Sequence, residues 1–272
     1  MSQKSDSLLK GYPRSNAQEG LYVAWKTKPE LLAQILPPPL KMVAPVVWVY
    51  IVHIGEPSYT QHYCEAAMSV PATYDGVKGE YVRSLLLYGP GAQMSAFSGR
   101  DVMGTPKKIA DDIRIIRTNR YVRAYIERDG IKIIDVEGKL GEYNTPEANK
   151  ALGKLEPGTQ ADHVAWFYKF DMDQGPDGKT TFSNARLLKH TTRTFYKSWE
   201  TGAAKVSLNP SVNDPWADLE VEEVLGFGYS RNDLHMISSE TLVSENTMEV
   251  IPYLLSGRYD VGVLGKPSRR FP

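Results

Sequence analysis

Short runs of β-branched and aromatic residues, each closed by glycine, proline, asparagine or aspartate, dominate the chain. Runs of this kind predict strands. They fall over Leu21–Thr27, Val46–Ile54, Tyr63–Tyr74 and Gly79–Tyr88, then over Ile113–Arg117, Tyr121–Arg128 and Ile131–Glu137, and later over His163–Met172, Arg186–Trp199 and Leu234–Val243. Asp75-Gly76 and Asp129-Gly130 supply the left-handed backbone that two-residue hairpins need. Helical spacing is confined to short pieces. Pro29–Leu36 begins on a proline, which suits the first turn, and is stopped by Pro37, Pro38 and Pro39. Gln93–Val102 is closed by Gly104 and Pro106. Thr145–Leu152, with Thr145 as N-cap, and Met248–Leu255 complete the set. Strands do not alternate with long helices, so a doubly wound parallel sheet is excluded and an antiparallel barrel or sandwich is expected. With no internal repeat or low-complexity linker, residues 1–272 read as a single domain, the polar residues 1–14 forming a loosely ordered lead-in.

Composition narrows the partners. The 32 lysine and arginine residues balance 32 aspartate and glutamate residues, so no net field draws in nucleic acid or an anionic membrane. The longest apolar stretch, Val43–Ile54, is broken by Pro45 and His53 and is too short to span a bilayer. Residues Met1–Arg14 lack the apolar core of a secretory signal. Cys64 is the single cysteine, which excludes an intrachain disulfide and leaves the cytoplasm as the default location. A small molecule, or another copy of the chain, is the natural partner.

The densest candidate chemistry is Gly99-Arg100-Asp101-Val102-Met103-Gly104-Thr105-Pro106-Lys107-Lys108. An ordinary lysine is a free amine in only ~1 molecule in 2,500 at pH 7. A neighbouring cation or an apolar pocket disfavours the charged form and so makes a nucleophile. Taken alone, a Lys-Lys pair reads as solvated surface. Other constellations are weaker. His53, His62, His163, His190 and His235 have no metal-ligand spacing, so no metal is expected. Asp171, Asp173 and Asp177 lack the glutamate that closes a calcium loop, since Phe182 stands at the twelfth position. Gly89-Pro90-Gly91 is not followed by the Gly-Lys-Ser/Thr of a phosphate cradle. Trp25, Trp48, Trp166 and Phe167 lie in strand patterns and read as core.

The Lys-Lys segment resembles the signature of the acetoacetate decarboxylase-like family, a Gly-Arg-acid run and helix end followed by Pro-Lys-Lys. Upstream, Tyr63-Cys64-Glu65, Val70-Pro71 and Asp75-Gly76-Val77-Lys78-Gly79-Glu80-Tyr81 are similar to the same family in the same order. Weaker similarity runs from Tyr22 through Pro39 and over Val221–Val224. The resemblance implies a mostly β (α+β) fold, an antiparallel cone-like double β-barrel with a few short helices. It implies a lyase in which Lys107 forms the Schiff base, Lys108 depresses the pKa of Lys107, and Glu65 is the pocket glutamate. Lysine activation by a neighbouring cation is the device attributed to acetoacetate decarboxylase itself. A homo-oligomer is implied, and no cofactor, because the protonated imine is its own electron sink.

Two positions depart from that pattern. Where the decarboxylases carry an arginine near the first strand and a second glutamate, this chain has Gln18 and Tyr50. The pocket keeps its charge balance but changes what it recognises, with Arg100, Tyr50 and Gln18 as the candidate substrate-binding residues. Arg100 has an alternative role in holding the Gly99 turn. The expected reaction is decarboxylation of a small β-keto acid such as acetoacetate. One alternative is an aldolase-dehydratase that condenses pyruvate or a related 2-keto acid with an aldehyde, with Tyr50 as proton donor. The other is a binding protein that keeps the fold without the catalysis.

Overall fold

A computed structural model describes residues 11–141 and 156–264. Its strands are β1 (Arg14–Lys26), β2 (Lys41–Met42), β3 (Val46–Pro57), β4 (Tyr63–Tyr74), β5 (Val77–Tyr88), β6 (Lys107–Ile109), β7 (Asp112–Thr118), β8 (Tyr121–Arg128), β9 (Ile131–Leu140), β10 (Gln160–Gln174), β11 (Thr180–Leu208) and β12 (Glu223–Ser244). The helices are α1 (Pro29–Ile35), α2 (Ala92–Met103), α3 (Thr247–Leu254) and α4 (Val261–Leu264). The helix expected over Thr145–Leu152 and most of the lead-in lie outside the described residues.

All twelve strands belong to one sheet, in the order β10-β5-β4-β3-β1-β12-β11-β9-β8-β7, with β2 on β4 and β6 on β5. A further pairing of β10 with β11 closes seven of these strands into a ring. This corrects the expected cone-like double β-barrel. The described strands form one sheet closed as a single ring, from which β9, β8 and β7 continue as an arm. The physical reason is the length of β11. Its N-terminal part pairs with β10, and its last residues, Gly202–Leu208, pair with β9. One strand thus serves both ring and arm, and among the described residues no second set of strands closes on itself. The ring is also not wholly antiparallel. One edge of β5 takes β10 in parallel at Glu80 and Tyr81, and β6 in parallel at Leu85–Leu87.

Strand alternation sorts the core into two faces. Leu21, Val23, Trp25, Val49, Ile51, Met68 and Leu86 point outward from the ring into the larger apolar cluster, which the arm covers with Val122, Ala124, Ile126 and Ile134. Val52, Ile54, Tyr63, Ala67, Leu85, Leu87, Phe167 and Leu188 form a second cluster on the opposite face. On β11 the residues of that second face, Leu188, His190, Thr194 and Tyr196, are buried. Their neighbours Lys189, Arg193 and Lys197 pair with Glu240, Asp162 and Asp233 on the solvent side. The second face is therefore the inside of the ring.

The hairpin turns follow their sequence, with Asp75 at φ 48°, Gly76 at 77°, Asp129 at 54° and Gly130 at 71°. Among the described residues, no helix is long and apolar enough to cross a membrane. Where the arm meets the ring, a Cβ on Gly138 of β9 would lie 2.3 Å from Cζ of the fully buried Phe227. Gly138→Ala should therefore cost about 2 kcal/mol through overpacking, and should lower the urea midpoint in equilibrium unfolding.

Candidate active site

Helix α2 and strand β6 build the site. Gly104 ends α2 at φ 70°, a left-handed conformation that glycine takes without a Cβ penalty. The chain then turns through Thr105 and Pro106, whose carbonyl accepts from the backbone N–H of Leu85, and enters β6 alongside β5. The buried face of α2 is a stripe of small residues, Ala92, Ser95, Ala96 and Gly99. A Cβ on Gly99 would come within 2.8 Å of Lys107 Cδ, so the lysine stem lies directly on that stripe.

Inside the ring the Lys107 amine is 3.0 Å from Glu65 Oε2 and donates to Ser95 Oγ at 2.9 Å. Both members of the ion pair are about nine-tenths buried, with side-chain exposures of 10% and 11%. Tyr50 donates to Glu65 Oε1 at 2.7 Å, and Tyr63 donates to Oε2 at 3.4 Å. The Tyr63 hydroxyl also meets that of Tyr59 at 2.6 Å, and Tyr59 meets Ser15 Oγ at 3.2 Å. Burial and the nearby Glu65 charge push the phenols of Tyr50 and Tyr63 well above the ordinary tyrosine range, so both remain donors. The arrangement is a buried amine beside a proton acceptor that two phenols orient. It can hand a proton from the amine to Glu65 and return it to a neighbouring atom.

The expected residues do not all converge. Lys107, Glu65 and Tyr50 meet. Lys108 points the other way, as alternation on β6 requires. Its amine lies 2.7 Å from Asp214 Oδ1 and 3.3 Å from Asp260 Oδ1, and donates to the Asn213 and Ser256 carbonyls. Arg128 joins the cluster at 2.6 Å from Asp214 and 2.7 Å from Asp260. The structure thus places the second ammonium among carboxylates on the far side of the strand from the first. Arg100 stacks its guanidinium 4.8 Å from the Tyr259 ring centroid. Gln18 does face inward, but its amide donates at 3.5 Å to Tyr22, whose ring lies 6.1 Å from that of Tyr50.

Several inward residues escaped the sequence reading. Ser95 and Gly99 share one face of α2 at i, i+4, a stripe that amphipathic spacing could have revealed. Tyr63 lies two residues before Glu65 on the same strand face. Asn232, which donates to Tyr22 at 3.2 Å, and Trp199, whose ring is 5.5 Å from that of Tyr22, carry no local signal. His190 is 1% exposed and neither ring nitrogen has a hydrogen-bond partner.

A buried lysine amine in contact with a carboxylate and a serine hydroxyl inside a closed β-ring is the kind of arrangement that amine-nucleophile enzymes use. The family model described as acetoacetate decarboxylase (ADC) matches residues 1–245, and the chain belongs to that family. It is 36% identical over 262 residues to a protein named CLA biosynthesis isomerase from Lactiplantibacillus plantarum, covering 94% of this chain and 93% of that relative. It is 25% identical to the acetoacetate decarboxylase of Clostridium beijerinckii, covering 83% and 86%. Among solved structures it is similar to acetoacetate decarboxylase from Legionella pneumophila, with a TM-score of 0.71, 21% identity and coverage of 89% and 93%, a likeness of fold.

Two outcomes follow from this geometry. Lys108→Met leaves Asp214 and Asp260 with one cation fewer in a buried site, and should cost about 3 kcal/mol in urea unfolding. Burial lowers the pKa of His190 to about 4 from an ordinary 6.5. Between those values the unfolded chain binds a proton that the folded chain refuses, so stability falls as pH drops from 6.5 to 4. For this group the loss is about 3 kcal/mol. In His190→Phe that part of the acid slope should vanish when unfolding is compared at neutral and mildly acidic pH.

Proposed function

We propose that this protein is a Schiff-base-forming lyase that decarboxylates a small β-keto acid such as acetoacetate, with Lys107 as the nucleophile. The observation that carries the reading is the 3.0 Å contact between the Lys107 amine and Glu65 inside the ring. Glu65 takes a proton from the ammonium, and the free amine attacks the substrate ketone. Loss of water gives an iminium conjugate to the breaking bond. The C–C bonding electrons then flow into the iminium as carbon dioxide leaves, and the resulting enamine takes a proton at carbon from Glu65, which has given its first proton to the departing water and regained one from solvent, with Tyr50 holding its other oxygen. Hydrolysis of the new iminium releases the ketone and restores Lys107. Lys108 serves by anchoring β6, so that Lys107 is presented to the interior. Gln18 and Tyr50 line the substrate side. The whole chain acts as one domain. The exposed Met94, Phe97 and Val102 of α2 support self-association.

A second reading is favoured by the 36% identity to a relative named as an isomerase, together with the engagement of Arg100 by the Tyr259 ring. The same iminium, formed on an unsaturated ketone, can lose a proton to Glu65 at one carbon and regain it at another, which moves a double bond without loss of carbon. Aldol condensation with an aldehyde begins from the same enamine.

Borohydride added with acetoacetate should fix a covalent adduct on Lys107, read by peptide mass spectrometry, and Lys107→Ala should abolish it. Glu65→Gln should lower turnover by about 10²–10⁴-fold while trapping falls much less, because the amide cannot relay protons but leaves the nucleophile in place. Trapping at any residue other than Lys107 would contradict the assignment. Carbon dioxide release from acetoacetate, set against double-bond migration in an unsaturated ketone, separates the two readings.

A further inference from the structure

The interior of the ring holds a second polar feature that the proposed reaction does not use. His190 lies on β11 opposite Ala165 of β10, beside Leu188, with its ring centroid 4.7 Å from that of Phe167. Its two nitrogens have no partner, although the residue is 1% exposed. Phe167 and Leu188 belong to the same inward cluster as Leu85, Leu87 and Ala92, and Leu85 is the residue paired with Lys107. The β10–β5 register sets Trp166 beside Tyr81, so the next residue, Phe167, falls beside Val82. Val82 and Leu85 are three residues apart, roughly 10 Å along the strand. The apolar side chains of Phe167, Leu188, Leu85 and Leu87 thus belong to one inward cluster that joins the strand position of His190 to that of Lys107.

Burying a polar ring without hydrogen bonds is unfavourable, and a phenylalanine would fill the same space without that cost. An unpaired imidazole aimed into the interior is understandable where a ligand completes it. Resting on the reading of Lys107 as the imine-forming amine, we infer that His190 is a specificity residue that hydrogen-bonds an uncharged oxygen at the distal end of a keto substrate with an apolar middle. A neutral imidazole offers one donor and one acceptor, which a hydroxyl or carbonyl satisfies. A carboxylate brought there would be desolvated without a cation to pair with.

The test uses two ketones that differ only at the far end, decan-2-one and its analogue with a terminal hydroxyl, with binding to the full-length protein measured by titration calorimetry. The wild-type protein should bind the hydroxy ketone about tenfold more tightly, the worth of one buried hydrogen bond. His190→Phe should bind the two ketones equally and melt at a higher temperature. Equal affinities in the wild-type protein overturn the inference, as does a preference that survives in His190→Phe. The wild-type comparison decides the matter even if the variant fails to fold. Borohydride trapping of the same ketones is a separate readout. Its failure, with the hydroxyl preference intact, removes the imine reading and leaves the role of His190 standing.

Discussion

Two neighbouring residues of a β-strand must point to opposite sides of the sheet, and the site depends on that constraint at Lys107 and Lys108. One amine enters the ring to meet Glu65, and the other enters a cluster of Asp214, Asp260 and Arg128. The pairing is self-enforcing. A slip of one residue in β6 would carry an ammonium away from each of its carboxylates, in a region where an unpaired charge is heavily penalised. The short strand β6 has only Lys107–Ile109 with which to fix its register against β5. The outer ion cluster supplies what backbone pairing over three residues cannot. Adjacent lysines therefore occupy two separate environments, one inside the ring and one in the outer ion cluster.

Inside the ring, polar groups form a connected path instead of an isolated pair. Ser15, Tyr59 and Tyr63 lead to Glu65 from one side, and Tyr50 reaches it from another. Asn232 and Gln18 both donate to Tyr22, whose ring neighbours those of Tyr50 and Trp199. Phenols suit this role because burial keeps them protonated, so they orient a carboxylate without adding charge. Gln18 and Tyr50 both lie on this inward face and add hydrogen-bonding groups without adding charge.

Much of this was legible in the sequence, for physical reasons that differ by element. The Asp-Gly turns, the proline stop after α1 and the alternation in β3 to β5 are local signals, and each appears where expected. The roles expected of Lys107 and Glu65 came from resemblance, since a Lys-Lys pair and a lone glutamate say nothing of each other across 41 intervening positions. Which strands close the ring was not legible. Closure depends on β10 meeting both β5 and β11, and no periodicity encodes which edges pair. The far half of β11 and the start of β12 were missed because glycines, charges and a bulge interrupt their alternation. Gln18 faces inward only because Ala17 takes a left-handed conformation and shifts the β1–β12 register by its bulge. The stacking of Arg100 on Tyr259 was not legible either, because 158 intervening positions separate the two residues in sequence.

The 29-residue strand β11 has a mechanical meaning. It bonds to β10 and β12 in the ring and, further along, to β9 in the arm. Neither the ring nor the arm can hinge freely against the other, because the joint between them is continuous hydrogen-bonded strand and not a flexible connector. The same strand that carries the arm pairing at Gly202–Leu208 carries His190 in the ring wall. The molecule is in this respect a frame with one shared beam, β11, common to ring and arm.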